Sequence, residues 1–372
     1  MSTVLLVGAF GQGNPGDEAL CAAFCAALVD HDVVVASSDP VDTASRHGVR
    51  AIPGGALPTA RAAAAADLLV IAGGTIFKTL HPSTGRPPTA LLRNAAALVA
   101  GARSRGTRVA MVGVGADDLR GRTARLLARW LVCHTDLLIL RDEESAAVLA
   151  GAGAPTPFWI GADPAWVLAA DPVDAQPAGG RPRTTTIALS HLAGDERMLA
   201  NIAIAVRPSI GACPVQLQPW QVGARGRDAD VADRLGELLS SDVKLLDPPE
   251  TLTAAAQSFR DAELVIGLRF HALVAAAMAG TRFLAIAHEP KLAGVARRLG
   301  QVAVPTHASA DVLRAALEGA LDHDPAPAVA VAAEVEAAMR SLDLLRLLLD
   351  DGVSGTPPDV AGLPLSDGEG TW

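Results

Sequence analysis

The chain has 372 residues, half of them hydrophobic, and a formal net charge of −9. That length suits roughly two domains, each able to bury a core of its own. The acidic balance excludes a general nucleic-acid or anionic-membrane binder, which needs a basic footprint to recruit phosphates, so any anion site has to be local. The opening MSTVLLVGAF lacks a basic n-region, and its apolar run is too short for a signal peptide or a transmembrane segment. The expected location is cytoplasmic, either free or peripheral at the inner membrane face. Cys21, Cys25, Cys133 and Cys213 form no CxxC pair. Cys21 and Cys25 have the spacing of one helix face, and all four are expected as buried reduced thiols.

The first half, 1–170, alternates short apolar β-rich runs (Val4–Val7, Val33–Ala36, Leu68–Ala72, Val109–Val112, Leu137–Leu140) with Ala/Leu-rich helical stretches. That alternation predicts βαβ units on a parallel sheet. After the first run comes Gly8-Ala-Phe-Gly-Gln-Gly-Asn-Pro-Gly-Asp-Glu-Ala-Leu20, with a helix expected from about Asp17. Its glycines allow close backbone approach to a ligand. It is not a dinucleotide fingerprint, because acidic Asp17 and Glu18 stand where a pyrophosphate would sit. Gly13, Asn14 and Gly16 belong to this loop. Asp17 and Glu18 either complement the dipole of the helix's first turn or contact a hydroxyl-bearing ligand and accept its proton. Gly73 and Gly74, after Leu68–Ala72, are either a plain strand–helix turn or cleft lining. Val112-Gly-Val-Gly115 repeats that pattern. Arg141 ends a strand and precedes Asp142-Glu-Glu144: it reads as a solvated helix start or as a guanidinium facing a cleft. Asp163, after the strand exit at Trp159–Ile160, is as compatible with a turn as with a ligand contact.

From Asp171 to Thr186 the sequence DPVDAQPAGGRPRTTT has no apolar period and suits a linker, 171–186. The strand pattern restarts over 187–330, with runs at Thr186–Leu189, Pro214–Leu217, Val243–Leu246, Leu264–Ile266, Phe283–Ala287 and Val302–Val304. The predicted fold class is α/β, two Rossmann-like domains with parallel sheets facing a cleft, as in GT-B-type transferases. Within the second domain, Gly267 breaks a strand, and Phe270–Ala279 forms a helix closed by Gly280. Arg269 and His271 then lie at a helix N-terminus, where unpaired N–H groups and the dipole favour a phosphate or carboxylate. The strand Phe283–Ala287 runs into His288-Glu289-Pro290-Lys291 at the same carboxyl edge. The alternative for His271 is a core histidine bonded within the sheet. The eight other histidines lack comparable context. Val335, Met339, Leu342, Leu345 and Leu349 recur at helical spacing, which predicts an amphipathic terminal helix over 331–351 that packs back on the body. The tail 352–372 has no period and reads as flexible. No HExxH, zinc-spaced Cys/His pair, EF-hand, P-loop or GxSxG occurs, so no metal site is expected.

Six collinear motifs over roughly residues 1–310, GNPGDEAL (Gly13–Leu20), AGG (Ala72–Gly74), LRDEES (Leu140–Ser145), ADPA (Ala162–Ala165), GLRFHAL (Gly267–Leu273) and EPK (Glu289–Lys291), resemble the polysaccharide pyruvyl transferase family. The resemblance implies a GT-B-like enzyme that moves the pyruvyl group of phosphoenolpyruvate onto two hydroxyls of a cell-wall, exopolysaccharide or lipid-linked sugar, forming a ketal and releasing phosphate. By motif, Arg141, His271 and Lys291 would hold the donor and the GNPGDE loop would border the acceptor. Phosphoenolpyruvate is a co-substrate here, and no cofactor is implied. The chain departs from the family pattern at GLRFHAL (more often GMRLHAL-like), HEPK (YDPK-like) and Ala72 (GGG-like), and it contains no Tyr. Those changes keep the charged atoms.

The residues suit this chemistry. Arg269, Arg141 and Lys291 match a donor with a phosphate and a carboxylate. His271 can protonate C3 of the enol or assist phosphate departure, and Asp17 or Glu18 can take a hydroxyl proton. Glu289, Gly73, Gly74 and Asp163 are assigned to acceptor binding or cleft lining. The rival reading is a GT-B-type nucleotide-sugar glycosyltransferase in which Arg269 and Lys291 grip a diphosphate. A non-catalytic binding protein would not need all three charges. The apolar Ala/Leu faces suit a homo-oligomer or contact with a lipid-linked acceptor, and nothing reads as an anchor.

Overall fold

The computed structural model describes residues 1–155, 158–170, 184–191, 195–209, 213–221, 227–239 and 243–350. The predicted tail 352–372 lies outside them, as does the predicted linker up to residue 183; Thr184 already belongs to a strand. Contacts divide the chain into two units. One contains Met1–Gly11, Leu20–Val167 and the segment from Glu334; the other contains Gln12–Ala19 and Leu168–Ala333.

In the first unit the strands are β1 (Thr3–Val7), β2 (Asp32–Ser37), β3 (Arg50–Pro53), β4 (Leu68–Ala72), β5 (Thr75–Phe77), β6 (Arg108–Ala116), β7 (Leu137–Leu140) and β8 (Trp159–Ile160). The helices are α1 (Pro15–Ala27, begun in the other unit), α2 (Pro40–His47), α3 (Ala56–Ala65), α4 (Ala90–Arg103), α5 (Gly121–Cys133) and α6 (Glu143–Gly151). The strands form one parallel sheet in the order β3-β2-β1-β4-β6-β7-β8, with β5 pairing β6. Every residue of LLVIA in β4 and of LLIL in β7 is buried, as expected of parallel strands covered by helices on both faces. β3 and β5 are absent from the apolar pattern. β3 is an edge strand reading Arg-Ala-Ile-Pro with exposed ends, and β5 is only three residues long.

The second unit contains β9 (Thr184–Ala188), α7 (Glu196–Val206), β10 (Val215–Gln218), α8 (Asp228–Leu239), β11 (Val243–Leu245), α9 (Leu252–Phe259), β12 (Ala262–Gly267), α10 (Phe270–Met278), β13 (Phe283–Ala287), α11 (Pro290–Arg298), β14 (Val302–Pro305) and α12 (Ala310–Asp322). Its parallel sheet has the order β11-β10-β9-β12-β13-β14. The strand order reverses between β9 and β12, and open sheets of this kind bind ligands at the carboxyl edge of that reversal. Gly267 is the last residue of β12 and does not interrupt it.

The terminal helix, α13 (Ala328–Asp350), buries Val335, Ala338, Ser341, Leu342, Leu345, Leu348 and Leu349. Met339, expected in the buried stripe, is half exposed. Ala338 and Ser341 take the contact instead because small residues permit close approach: a Cβ on Gly161 would lie 2.2 Å from Ser341 Oγ. Arg346 donates to the Ala27 carbonyl, fixing the same helix to α1. No disulfide joins the cysteines, and the Cys21 and Cys25 sulfurs lie 4.0 Å apart; contrary to the expectation that all four are buried, only Cys21 is, Cys25 and Cys213 are partly buried and Cys133 is exposed.

Candidate active site

The second unit brings three residues nominated by the sequence, Arg269, His271 and Lys291, to adjoining helix N-termini. Arg269 is the N-cap residue of α10, His271 lies in that helix's first turn, and no side chain caps the helix. Glu289 is the N-cap residue of α11, which opens with Pro290 and Lys291 and likewise has no side-chain cap. Lys291 Nζ lies 2.5 Å from Glu289 Oε2. Both helices follow parallel neighbours, β12 and β13, so their N-termini share one edge of the sheet.

The GNPGDE loop joins this cluster. Asn14 precedes α1: its carbonyl accepts from Glu18 N and its Oδ1 from Gly16 N, which closes the helix start in the usual side-chain capping manner. Asn14 Nδ2 donates to Asp17 Oδ2 at 2.8 Å. Gly13 takes φ +68°, a left-handed conformation that Gly adopts without cost. Gly16 is required for a different reason, since a Cβ there would lie 2.0 Å from His271 Nδ1. The loop backbone therefore rests directly on the imidazole. Burial lifts the Asp17 carboxyl above the usual range, with the Glu18 charge acting the same way, while His271, Lys291 and Arg269 draw it back down. Glu18 itself is buried. A buried carboxyl raised above its ordinary range, beside an imidazole and an ammonium, suits acid–base work.

Arg269 has a partner that the sequence did not nominate. Its Nη2 lies 2.7 Å from both oxygens of Asp228, the fully buried first residue of α8, and its Nε lies 3.2 Å from Oδ2. Asp228 also accepts from the backbone N–H groups of His191, Trp220 and Gln221, and from the His191 ring at 2.7 Å. Burial opposes its charge, but the His191 hydrogen bond, the Arg269 guanidinium and the Gln221 and His191 N–H groups prevail and hold it down to about 2. His191 and Gln221 follow β9 and β10 while Arg269 follows β12, so the network straddles the strand-order reversal. The sequence offered a weak signal: Asp228 sits in a charged run, RGRDADVADR, that reads as a solvated helix face, and His191 stands alone.

In the first unit Arg141 is buried and bracketed by carboxylates, with Nε 3.0 Å from Asp142 Oδ2 and Nη1 3.8 Å from Asp163 Oδ2. Asp142 is the N-cap of α6 and accepts from Ser145 N. Burial raises its carboxyl, but Arg141 and Ser145 together bring it below the usual range. Asp163 Oδ1 accepts from Ala165 N, so it serves a turn as well as the guanidinium. Gly115 makes room for Arg141: a Cβ there would lie 2.3 Å from Nη2. Gly73 and Gly74 have φ +65° and +76°, and their backbone joins Val112 and Gly115 across the β4–β6 edge. Among the described residues no group of three or more His, Cys, Asp or Glu is arranged to hold a metal ion, and no helix is long and apolar enough to cross a membrane.

Two doubly wound parallel sheets make this an α/β protein of the GT-B type. Solved structures of similar fold include MnaA of S. aureus with UDP (TM-score 0.64, 12% identity, 97% of this chain and 100% of that one). They also include a UDP-GlcNAc 2-epimerase of Methanocaldococcus jannaschii (0.63, 12%, 93% and 99%) and HepE of Anabaena with UDP (0.61, 13%, 94% and 100%). No curated protein matches the sequence. The profile of the polysaccharide pyruvyl transferase family matches residues 14–290, from the GNPGDE loop to the start of α11, and the chain belongs to that family.

Proposed function

We propose that the chain transfers the pyruvyl group of phosphoenolpyruvate to two hydroxyls of a saccharide, free or lipid-linked, forming a ketal and releasing phosphate. The observation that carries this reading is the convergence of Arg269, His271 and Lys291 on two uncapped helix N-termini beside the Asp17 loop. A donor with a phosphate and a carboxylate requires that kind of bed, since guanidinium, ammonium and helix N–H groups all favour anions. The chemistry begins with protonation of C3, which makes C2 electrophilic. His271, with the loop backbone against its ring, is the candidate acid, and Asp17 is the candidate acceptor of a hydroxyl proton.

Calorimetric titration with phosphoenolpyruvate, with UDP as the parallel ligand, tests the reading. Binding of phosphoenolpyruvate that is lost in Lys291→Ala supports it. Binding of UDP alone would favour a nucleotide-sugar transferase, the reading that the fold likeness to UDP-bound proteins keeps in view. Lys291→Ala is a cleaner probe than Arg269→Ala, because removing Arg269 also strips Asp228 of its counter-ion.

A further inference from the structure

Ketal formation from phosphoenolpyruvate needs protons at two different atoms. In the first half a proton is added to C3 while a sugar oxygen bonds to C2 and gives up its own proton, leaving a tetrahedral adduct with a methyl group. In the second half the bond from C2 to the phosphate oxygen breaks and its electron pair leaves with the phosphate. The second hydroxyl then bonds to C2 and loses its proton. The departing group already carries two negative charges, so leaving without a proton would place a third on the phosphate. An acid at the bridging oxygen removes that barrier, and the proton of the second hydroxyl restores the acid. His271 accounts for one of the two positions.

His191 has the placement for the other. It lies at the carboxyl end of β9, beside the strand-order reversal. Both its backbone N–H and its ring are bonded to Asp228 Oδ1, at 2.8 and 2.7 Å. Arg269 Nη2 is 3.2 Å from the same ring nitrogen, so Nδ1 is enclosed and Nε2 is the nitrogen left to face a ligand. The His191 side chain is 17% exposed over a fully buried Asp228, an imidazole held on a buried ion pair. A carboxylate hydrogen-bonded to one ring nitrogen fixes the ring's orientation and leaves the other nitrogen for the ligand. Arg269 ties this pair to the first, since its charge also reaches Asp17.

We propose that His191, through Nε2, protonates the phosphate as it departs, with Asp228 as the residue that positions it. This rests on the pyruvyl-transfer reading. His191→Asn keeps a donor for Asp228 and removes Nε2. With a panel of nitrophenyl hexopyranosides as acceptors, whose 4- and 6-hydroxyls close a six-membered ketal, phosphate release should fall roughly 100-fold or more. The Kd for phosphoenolpyruvate and the melting temperature should stay near wild type. In wild-type protein labelled with 15N-histidine, phosphoenolpyruvate should shift the Nε2 resonance that is missing in His191→Asn. If phosphoenolpyruvate binds but leaves that resonance unmoved, or if His191→Asn turns over within a few-fold of wild type, the role of His191 is overturned and the pyruvyl reading survives. If wild type fails to bind phosphoenolpyruvate, both fall.

Discussion

Replacing Asp228 by Asn removes the charge of a fully buried carboxylate and leaves the Arg269 guanidinium, now 2.7 Å from both carboxylate oxygens, without that counter-ion. Breaking a buried pair by removing one partner costs about 3 to 5 kcal/mol, and the backbone N–H groups of His191, Trp220 and Gln221 compete for the single acceptor that remains. Part of this cost depends on pH. The folded carboxyl titrates at about 2 against an ordinary 3.8, a difference of about 2 kcal/mol. Because the folded value lies below the unfolded one, that stability is present above pH 3.8 and is lost as pH falls toward 2, with about half gone by pH 3. The assay is urea unfolding between pH 7 and pH 3, read by hydrogen-exchange protection of the β9 and β10 peptides so that the second unit is followed by itself. Asp228→Asn should be less stable at pH 7 by the amount above, and the gap should narrow in acid. A loss below about 1 kcal/mol at pH 7, or a gap that ignores pH, would refute the assignment of Asp228 as the ionised node of the site.

Gly16→Ala drives a methyl into the His271 ring, 2.0 Å from Nδ1; turnover should drop at least about 10-fold through misplacement of the imidazole, and phosphate release compared with the circular-dichroism melt separates that from unfolding. Asp17→Asn should raise the melting temperature at neutral pH, because burial penalises its ionised form. The folded value is raised, so the penalty is full above it, shrinks as pH falls from it toward the unfolded 3.8 and is gone below that; the advantage of the variant over wild type should disappear in acid, as melts at several pH values will show. Arg141→Ala leaves Asp142 and Asp163 buried without their guanidinium and should cost about 3 to 5 kcal/mol, measured by urea unfolding read on β7 peptides, so activity lost in that variant has to be judged against its stability.

The strands legible in the sequence are those that a parallel sheet buries on both faces. β4, β7 and β13 begin and end where the apolar runs Leu68–Ala72, Leu137–Leu140 and Phe283–Ala287 do, since a short uninterrupted apolar run suits a strand covered on both faces of an α/β unit. The same logic put Arg269 and His271 at a helix start just after Gly267, and Lys291 at the carboxyl end of a strand; that Lys291 opens a helix of its own came from the structure. β3 and β5 escaped that logic, being short and partly exposed.

The sequence by itself determined the alternation of elements, the glycine-rich loop and the cationic motifs, because each is written in neighbouring residues whose periodicity or backbone freedom is local. Tertiary structure alone decided their partners. Asp228 lies 41 positions from Arg269 and 37 from His191, and Gly16 meets His271 from the opposite end of the chain. A carboxylate in a charged run becomes the buried centre of a site only when two strand ends and a helix start converge on it, and no local pattern encodes that convergence.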